Sequence, residues 1–136
     1  MRQKKFILQE KDIPTQWYNI QADMKNKPMP PLNPATHKPV TVDDLSRIFA
    51  RECSIQELDT EHAWIDIPEE VRDKYTYYRS TPLVRAYGLE QALDTPAHIY
   101  FKNESTNPLG SHKINSALAQ CYYCKQEGDT NETTET

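Results

Sequence analysis

The chain has 136 residues, the length of one ordinary domain, and its 16 basic and 20 acidic residues are well mixed, for a net charge of −4. That balance excludes the basic stripe of a nucleic-acid-binding protein and the Lys/Arg cluster of a protein that binds anionic membranes. Its apolar runs are far shorter than the ~20 residues of a transmembrane helix, and the run 6–8 is too short for a signal peptide. With three cysteines, an odd number, the composition predicts a protein of the reducing cytoplasm.

Residues 1–40 are predicted to form an extended, proline-rich arm. Five of the ten prolines fall in the range 28–39, which excludes a helix there. Such an arm is either disordered or wraps a domain. Because Trp17, Tyr18 and Ile20 offer apolar anchors, wrapping is the favoured alternative.

A helix is predicted to begin at Thr41. Asp44 follows three residues later, which is the spacing of a capping box. Apolar residues then recur at helical spacing and predict one apolar face, formed by Leu45, Ile48 and Phe49.

The middle of the chain predicts one more short helix, a strand and a weak helix. A helix is expected to start at Pro68, a favourable first-turn residue that two glutamates follow, and to end near Lys74. Residues 81–84 are expected to be extended, since a residue before proline avoids the helical region. A helical stretch follows over 86–93, and Gly88 weakens it.

A strand–loop–helix unit is the clearest pattern of the chain. The strand is predicted over 97–102 and the polar loop over 103–109. From Ser111 the spacing becomes helical, and Gly128 is the expected stop. The apolar positions of this helix are Ile114, Ala117, Leu118, Cys121 and Tyr122.

Lys113 lies in the first turn of this last helix. A cation is unfavourable at the positive end of a helix dipole, unless a lowered amine pKa is put to use. Schiff-base chemistry is such a use, because the neutral amine is the nucleophile that condenses with an aldehyde. The alternative is an ordinary solvated lysine.

Cys121 and Cys124 have the spacing of a redox or metal motif, but they lie late in a helix, where nothing lowers a thiol pKa. They are interpreted as small residues that face the core. The histidines show no metal spacing, and no metal site is predicted.

Several segments, in order, resemble the tryptophan synthase β family in its longer, β-like branch. They are 12–20, 31–36, 67–72, 79–86, 102–104 and 107–115, and the likeness runs from about Ile7 to the end of the chain. The resemblance implies an α/β fold of the pyridoxal-phosphate enzymes of fold type II. It also implies that this chain is an amino-terminal portion, with 41–136 an incomplete part of the catalytic region.

The resemblance implies roles for residues around the lysine. Lys113 would hold pyridoxal phosphate as an internal aldimine and move the α-proton of the substrate. His112 would approach the cofactor phosphate, with a helix-capping histidine as the alternative. Asn115 would face either the cofactor ring or the core. Ser111 is interpreted as a helix cap.

By the same resemblance, the last residues would belong to a buried strand and its exit. Glu135 matches the glutamate that orients and activates indole, and Thr136 would begin the loop that binds the substrate carboxylate. Asp129 and Glu132 stand where the family usually carries apolar residues. A charge in a buried strand is destabilising unless it is paired, so this strand is in doubt.

The implied activity is that of a carbon–oxygen lyase, which converts L-serine and indole to L-tryptophan and water. A homodimer and an α-type partner subunit are also implied. The three glycines are far apart and form no phosphate-binding loop, so we expect the chain alone to bind the cofactor weakly and to be inactive. The alternatives are a related enzyme that acts on another amino acid, and a non-catalytic product that only associates with other subunits.

Overall fold

The computed structural model describes residues 2–133. These residues contain five short strands and five α-helices, besides three 3-10 helices, and this mixture confirms the α/β class. The strands are β1 Lys5–Phe6, β2 Gln16–Tyr18, β3 Trp64–Asp66, β4 Leu83–Arg85 and β5 Tyr100–Lys102. The helices are α1 Val42–Leu45, α2 Arg51–Leu58, α3 Glu69–Thr76, α4 Tyr87–Ala92 and α5 Ile114–Glu127. Within residues 2–133, no helix is long and apolar enough to cross a membrane.

The arm wraps the rest of the chain by pairing its strands with later ones. β1 adds to the edge of an antiparallel sheet of order β1-β4-β5, and β2 pairs antiparallel with β3, with Trp17 opposite Ile65. Of the three expected anchors, Trp17 is half-buried and packs against the core. Tyr18 and Ile20 remain 49% and 61% exposed, so they are not anchors in this structure.

The expected capping box forms, but the helix it begins is a single turn. The Thr41 hydroxyl accepts a hydrogen bond from the Asp44 N–H at 3.1 Å, and Asp44 accepts one from the Thr41 N–H at 3.0 Å. The chain then turns, and α2 begins independently at Arg51. Ile48 is 78% exposed and Phe49 48%, so the predicted continuous apolar face is wrong.

A local hydrogen bond accompanies this early end. The Ser46 hydroxyl donates to the Val42 carbonyl at 2.8 Å, as serine side chains do where they compete with a helix ladder. Ala50 then takes an extended conformation, with φ −50° and ψ 143°. Periodicity alone did not reveal this interruption.

The later elements follow the predictions more closely. α3 starts directly after Pro68 and ends at Thr76, β4 covers 83–85, and α4 spans the weak helical stretch. β5 is shorter than the predicted strand 97–102. The Ala97 and Ile99 N–H groups donate to the side chains of Thr95 and Glu90, at 3.2 and 2.8 Å, instead of to a neighbouring strand.

The core lies between α3 and α5. Ile67, Val71 and Tyr75 are 4%, 2% and 1% exposed, and they form its centre. Burial of these apolar side chains is the main force that holds the two helices together. The partly buried residues packed around them are Ile13, Trp17, Tyr78, Leu118, Ala119 and Tyr122.

Candidate active site

The candidate site is built on the start of α5, a 14-residue helix that ends as predicted, with Gly128 in the left-handed region at φ +95°. Lys113 occupies the N-cap position with helical φ and ψ of −61° and −26°. Its N–H donates to the Ser111 hydroxyl at 3.3 Å. The prediction of Ser111 as the helix cap is therefore wrong: Lys113 is the N-cap, without a side-chain capping bond, and the Ser111 hydroxyl instead holds the N–H of the N-cap residue itself.

Asn107 organises the loop before Lys113. The residue is buried, with only 6% of its surface exposed. The amide nitrogen donates to the Ser111 carbonyl at 2.8 Å and to the Glu104 carboxylate at 3.0 Å. The amide oxygen accepts from the N–H groups of Leu109 at 3.0 Å and Ser111 at 3.3 Å. One side chain thus joins both ends of the loop.

Glu104 connects this loop to the sheet. Its second carboxylate oxygen accepts from the Thr81 hydroxyl at 2.7 Å, and Thr81 is 4% exposed. The Lys102 ammonium donates to the Thr81 carbonyl. Burial alone would raise the pKa of Glu104, but hydrogen bonds from Thr81 and Asn107 outweigh it and hold that pKa below its ordinary value. Burial lowers the pKa of Lys102, against the opposing effect of Glu104.

Lys113 lines a cavity of about 790 Å³ that lies beside α2, α5 and the segment after α5. The wall contains several groups able to form hydrogen bonds. They are Arg47, Ser116, Gln120, Asn131 and Glu132. The lysine is thus placed at a space large enough for a small molecule.

His112 and Asn115 lie away from that cavity wall. His112 is exposed. Asn115 faces α3: its carbonyl accepts from the Tyr75 hydroxyl at 2.6 Å, and its side-chain oxygen accepts from the Tyr78 hydroxyl at 2.8 Å. Of the two orientations considered for Asn115, the structure shows the one toward the core. The cofactor roles of His112 and Asn115 stay predictions.

Glu135 and Thr136 lie outside the described residues. The segment 129–133 has no regular secondary structure, so the expected strand is not seen in the part that the structure describes. Asp129 and Glu132 are both exposed, and water therefore solvates their charges.

The cysteines are reduced, and their environment disfavours thiolate chemistry. Burial raises the pKa of Cys53 and of Cys121 to about 11, so both thiols stay protonated at neutral pH. Taken as a whole residue, Cys121 is exposed, so the interpretation of Cys121 as a core-facing residue is wrong. Cys124 is half-buried. Among residues 2–133, no group of three or more His, Cys, Asp or Glu side chains could hold a metal ion.

Two residues of the site carry weak or no signals in the sequence. Asn107 stands before a proline, a pair that marks a turn, and this signal could have identified it as a loop organiser. Tyr78 lies 37 residues before its partner Asn115, and no local pattern relates the two.

Comparison with known proteins shows which proteins this chain is similar to. A family profile described as "Pyridoxal-phosphate dependent enzyme" matches residues 75–136, a range that contains Lys113. The tryptophan synthase beta chain 2 of Methanosarcina acetivorans is 46% identical over all of this chain. The chain is homologous to tryptophan synthase β chains. The beta chain 2 of Pyrococcus furiosus is 51% identical and the beta chain of Thermococcus gammatolerans 50%, each over 97% of this chain.

This chain spans about 30% of the length of those tryptophan synthase β chains. The matched family range begins at Tyr75, on the last turn of α3, and therefore includes β4, β5 and α5. The arm and its two strands lie before that range, but the tryptophan synthase β relatives match them as well.

Proposed function

We propose that the protein to which this chain belongs binds pyridoxal phosphate through the Lys113 amine. The position of Lys113, at the start of α5 and on the wall of a cavity of about 790 Å³, carries the proposal. Small-molecule sites have volumes of about 300–1,000 Å³, so the space suits such a cofactor. Ser116, Gln120 and Asn131 offer hydrogen bonds on the same wall. These residues fit the carbonyl end of the cofactor.

The phosphate group needs further partners. The three glycines, Gly88, Gly110 and Gly128, lie far apart in the sequence and form no phosphate-binding loop. His112 would lie beside the phosphate, because an exposed imidazole at the positive end of α5 can interact favourably with an anion. Asn115 is proposed to support the ring side of the site from behind the first turn of α5, where its side-chain oxygen accepts from Tyr78. A protein as long as the curated relatives would supply the remaining contacts.

For the whole protein we propose a fold type II enzyme that converts L-serine and indole to L-tryptophan and water. When bound, the cofactor supplies an electron-accepting ring next to the reacting carbon. The Lys113 amine would take the α-proton of the substrate, and Glu135 would orient indole. Thr136 would bind the substrate carboxylate. The homology to tryptophan synthase β chains supports this assignment.

The same homology supports three proposals about context. The protein would work in the cytoplasm, where amino acids are made. It would form a homodimer, and an α-type subunit would be its partner.

Covalent trapping tests the role of Lys113. The chain is incubated with pyridoxal phosphate, reduced with borohydride and digested, and the pyridoxyl adducts are located by mass spectrometry. We expect the adduct mainly on Lys113, and its loss in Lys113→Arg. Lys125→Arg, which changes a lysine in the last turn of the same helix, should leave the pattern unchanged. Equal labelling of all exposed lysines would reject the proposal.

Turnover tests the substrate. The protein as its source produces it is assayed with L-serine plus indole, and separately with O-acetylserine. Tryptophan formation that Lys113→Arg abolishes is the expected result. Activity only with the acetylated substrate would instead identify a related enzyme that acts on another amino acid.

A further inference from the structure

We propose that Asn107 is a positioning residue for Lys113: its side-chain amide fixes the path of the loop 103–113 and thereby the direction in which the lysine leaves the helix start. The inference rests on the proposed function of Lys113. Asn107 itself does not line the lysine cavity. It acts through the loop.

The side-chain amide of Asn107 uses its full hydrogen-bonding capacity. It donates to the Ser111 carbonyl and the Glu104 carboxylate, and it accepts from the N–H groups of Leu109 and Ser111. An asparagine amide has two N–H donors and an oxygen with two lone pairs, so these four hydrogen bonds use every donor and acceptor of the side chain. A carboxylate only accepts and a backbone N–H only donates, which also fixes the orientation of the amide.

The path from Asn107 to Lys113 is short. Asn107 binds both the N–H and the carbonyl of Ser111, at 3.3 and 2.8 Å. Because both backbone groups of Ser111 are held, its hydroxyl also has a defined position, and this hydroxyl accepts the Lys113 N–H at 3.3 Å. A change at Asn107 therefore reaches the lysine through one intervening residue.

The other end of this path is anchored in the sheet. Glu104, which accepts from Asn107, also accepts from the Thr81 hydroxyl at 2.7 Å. Thr81 is 4% exposed and lies two residues before β4. The lysine loop is thus tied to a buried residue, and Asn107 is the link between them.

Asn107→Asp is the variant that tests this role most directly. It has the same size and keeps the oxygen that accepts from Leu109 and Ser111. It removes both donors and places a second carboxylate 3.0 Å from that of Glu104. Loss of a hydrogen bond to a charged group, with repulsion added, should open the loop about tenfold more often, or more.

Asn33→Asp is the matched control. The Asn33 side-chain oxygen also accepts from two backbone N–H groups, those of Ala35 and Thr36, at 2.9 and 3.3 Å. Its amide nitrogen donates to the Asp44 carboxylate at 3.3 Å. The control therefore makes the same chemical change in the same kind of turn, where these hydrogen bonds connect Asn33 to residues outside the loop 103–113.

Amide hydrogen exchange in the 136-residue chain tests the contact itself. In Asn107→Asp we expect the Leu109 and Ser111 amides to exchange about tenfold faster, because the oxygen that accepts from both is no longer held in place by the two donor bonds of the amide nitrogen. The Asn19 and Ile67 amides, which bond to Ala63 and Thr15, report on the β2–β3 pair and should not change. Unchanged exchange at Leu109 and Ser111 overturns the proposal.

Trapping with pyridoxal phosphate and borohydride tests the effect on the lysine. We expect the labelling of Lys113 relative to Lys125 to fall about tenfold in Asn107→Asp and to stay constant in Asn33→Asp. A constant ratio despite faster exchange would make Asn107 a structural residue only, which overturns the proposal. If the wild-type chain itself shows no preference for Lys113, the proposed function fails instead.

A second variant covers the case in which Asn107→Asp unfolds the chain and the Asn19 amide also exchanges faster. Glu104→Gln leaves the Asn107 oxygen that accepts from Leu109 and Ser111, and it removes the negative charge of the carboxylate that the Asn107 nitrogen and the Thr81 hydroxyl contact. Faster exchange at Ser111, with a lower labelling of Lys113 relative to Lys125, supports the proposal. No change in either quantity overturns it.

Discussion

At the scale of single residues, Tyr78 holds the first turn of α5 from the side of α3. Its hydroxyl donates to the Asn115 side chain at 2.8 Å, and burial raises the pKa of Tyr78 to about 12. The hydroxyl therefore keeps its proton and remains a donor at all ordinary pH values. We expect Tyr78→Phe to lower the free energy of unfolding by about 1 kcal/mol, because the Asn115 oxygen loses this donor in a half-buried place. Urea denaturation followed by circular dichroism measures the change.

Tyr77→Phe is the control for this prediction. Tyr77 is adjacent in the sequence but 76% exposed. Its hydroxyl lies in water, so the same chemical change there should alter the free energy of unfolding by less than about 0.5 kcal/mol. Equal losses in the two variants would show that the contact of Tyr78 with Asn115 contributes nothing specific.

At the scale of elements, the end of α5 caps the start of α2. The Glu127 carboxylate accepts from the N–H groups of Arg51 at 2.8 Å and Glu52 at 3.1 Å, where the N-cap residue Ala50 has no side chain able to do so. These two hydrogen bonds lower the pKa of Glu127 below its ordinary value. A carboxylate at a helix N-terminus also interacts favourably with the helix dipole.

The lowered pKa of Glu127 gives this cap a defined pH dependence. Because the pKa is lower in the folded than in the unfolded chain, the stabilisation is present above the unfolded value of 4.5 and is lost as the pH falls through the folded value. We expect Glu127→Gln to be less stable than the wild type at pH 7, and the difference to shrink below pH 4.5. Urea midpoints measured at pH 7 and in this acidic range check the sign.

An exposed glutamate of α2 serves as the control for the cap. Glu57→Gln changes the same group, and the sequence numbering places it near the far end of α2. Its urea midpoint should follow that of the wild type at both pH values. A difference between Glu127→Gln and wild type that does not change with pH would contradict the cap as the cause.

At the scale of the whole molecule, the largest side chain that joins the arm to the core is that of Trp17, beside the smaller Ile13. Trp17 is half-buried and packs against the cluster of Ile67, Val71 and Tyr75. Deletion of a large core side chain loses the transfer free energy and leaves a cavity, so we expect Trp17→Ala to lower the free energy of unfolding by about 2 kcal/mol. The amides of β2 should also exchange faster, since this strand depends on the same side chain.

Trp64→Ala is the matched control on the partner strand. Trp64 lies in β3, is 60% exposed and contacts mainly the ring of Tyr18, with centroids 4.9 Å apart. Its removal should have a clearly smaller effect than that of Trp17. Equal effects on unfolding would mean that the arm is held by strand pairing and not by the tryptophan in the core.

The helices with strong end signals could be predicted from the sequence, and those without could not. α3 has a proline at its start and acidic residues in its first turn, and α5 has regular apolar spacing and a glycine stop; both form near the predicted positions. α1 has an equally good start signal but stops after one turn. A capping residue stabilises the beginning of a helix but does not determine how long the helix is. The length depends on how the helix packs against the rest of the chain.

The candidate site divides in the same way. Lys113 could be identified because its position at a helix start is a local property and because the surrounding residues resemble a known family. Its anchor in the sheet could not: Thr81 meets Glu104, 23 residues later in the chain, only when the loop folds back on the sheet. The face taken by Asn115 was likewise open until α3 was placed beside α5.

The sequence by itself determined the α/β class, the main helix with its lysine, and the tryptophan synthase β relationship. These depend on capping, periodicity and ordered residue types, which are short-range properties of the chain. Only the tertiary structure decided that Trp17 anchors the arm, that Glu127 caps α2 and that Asn107 ties the lysine loop to Thr81. The Trp17 and Glu127 contacts, and the Thr81–Glu104 bond on which Asn107 depends, join residues far apart in the sequence, so they form only once the elements that carry them lie side by side.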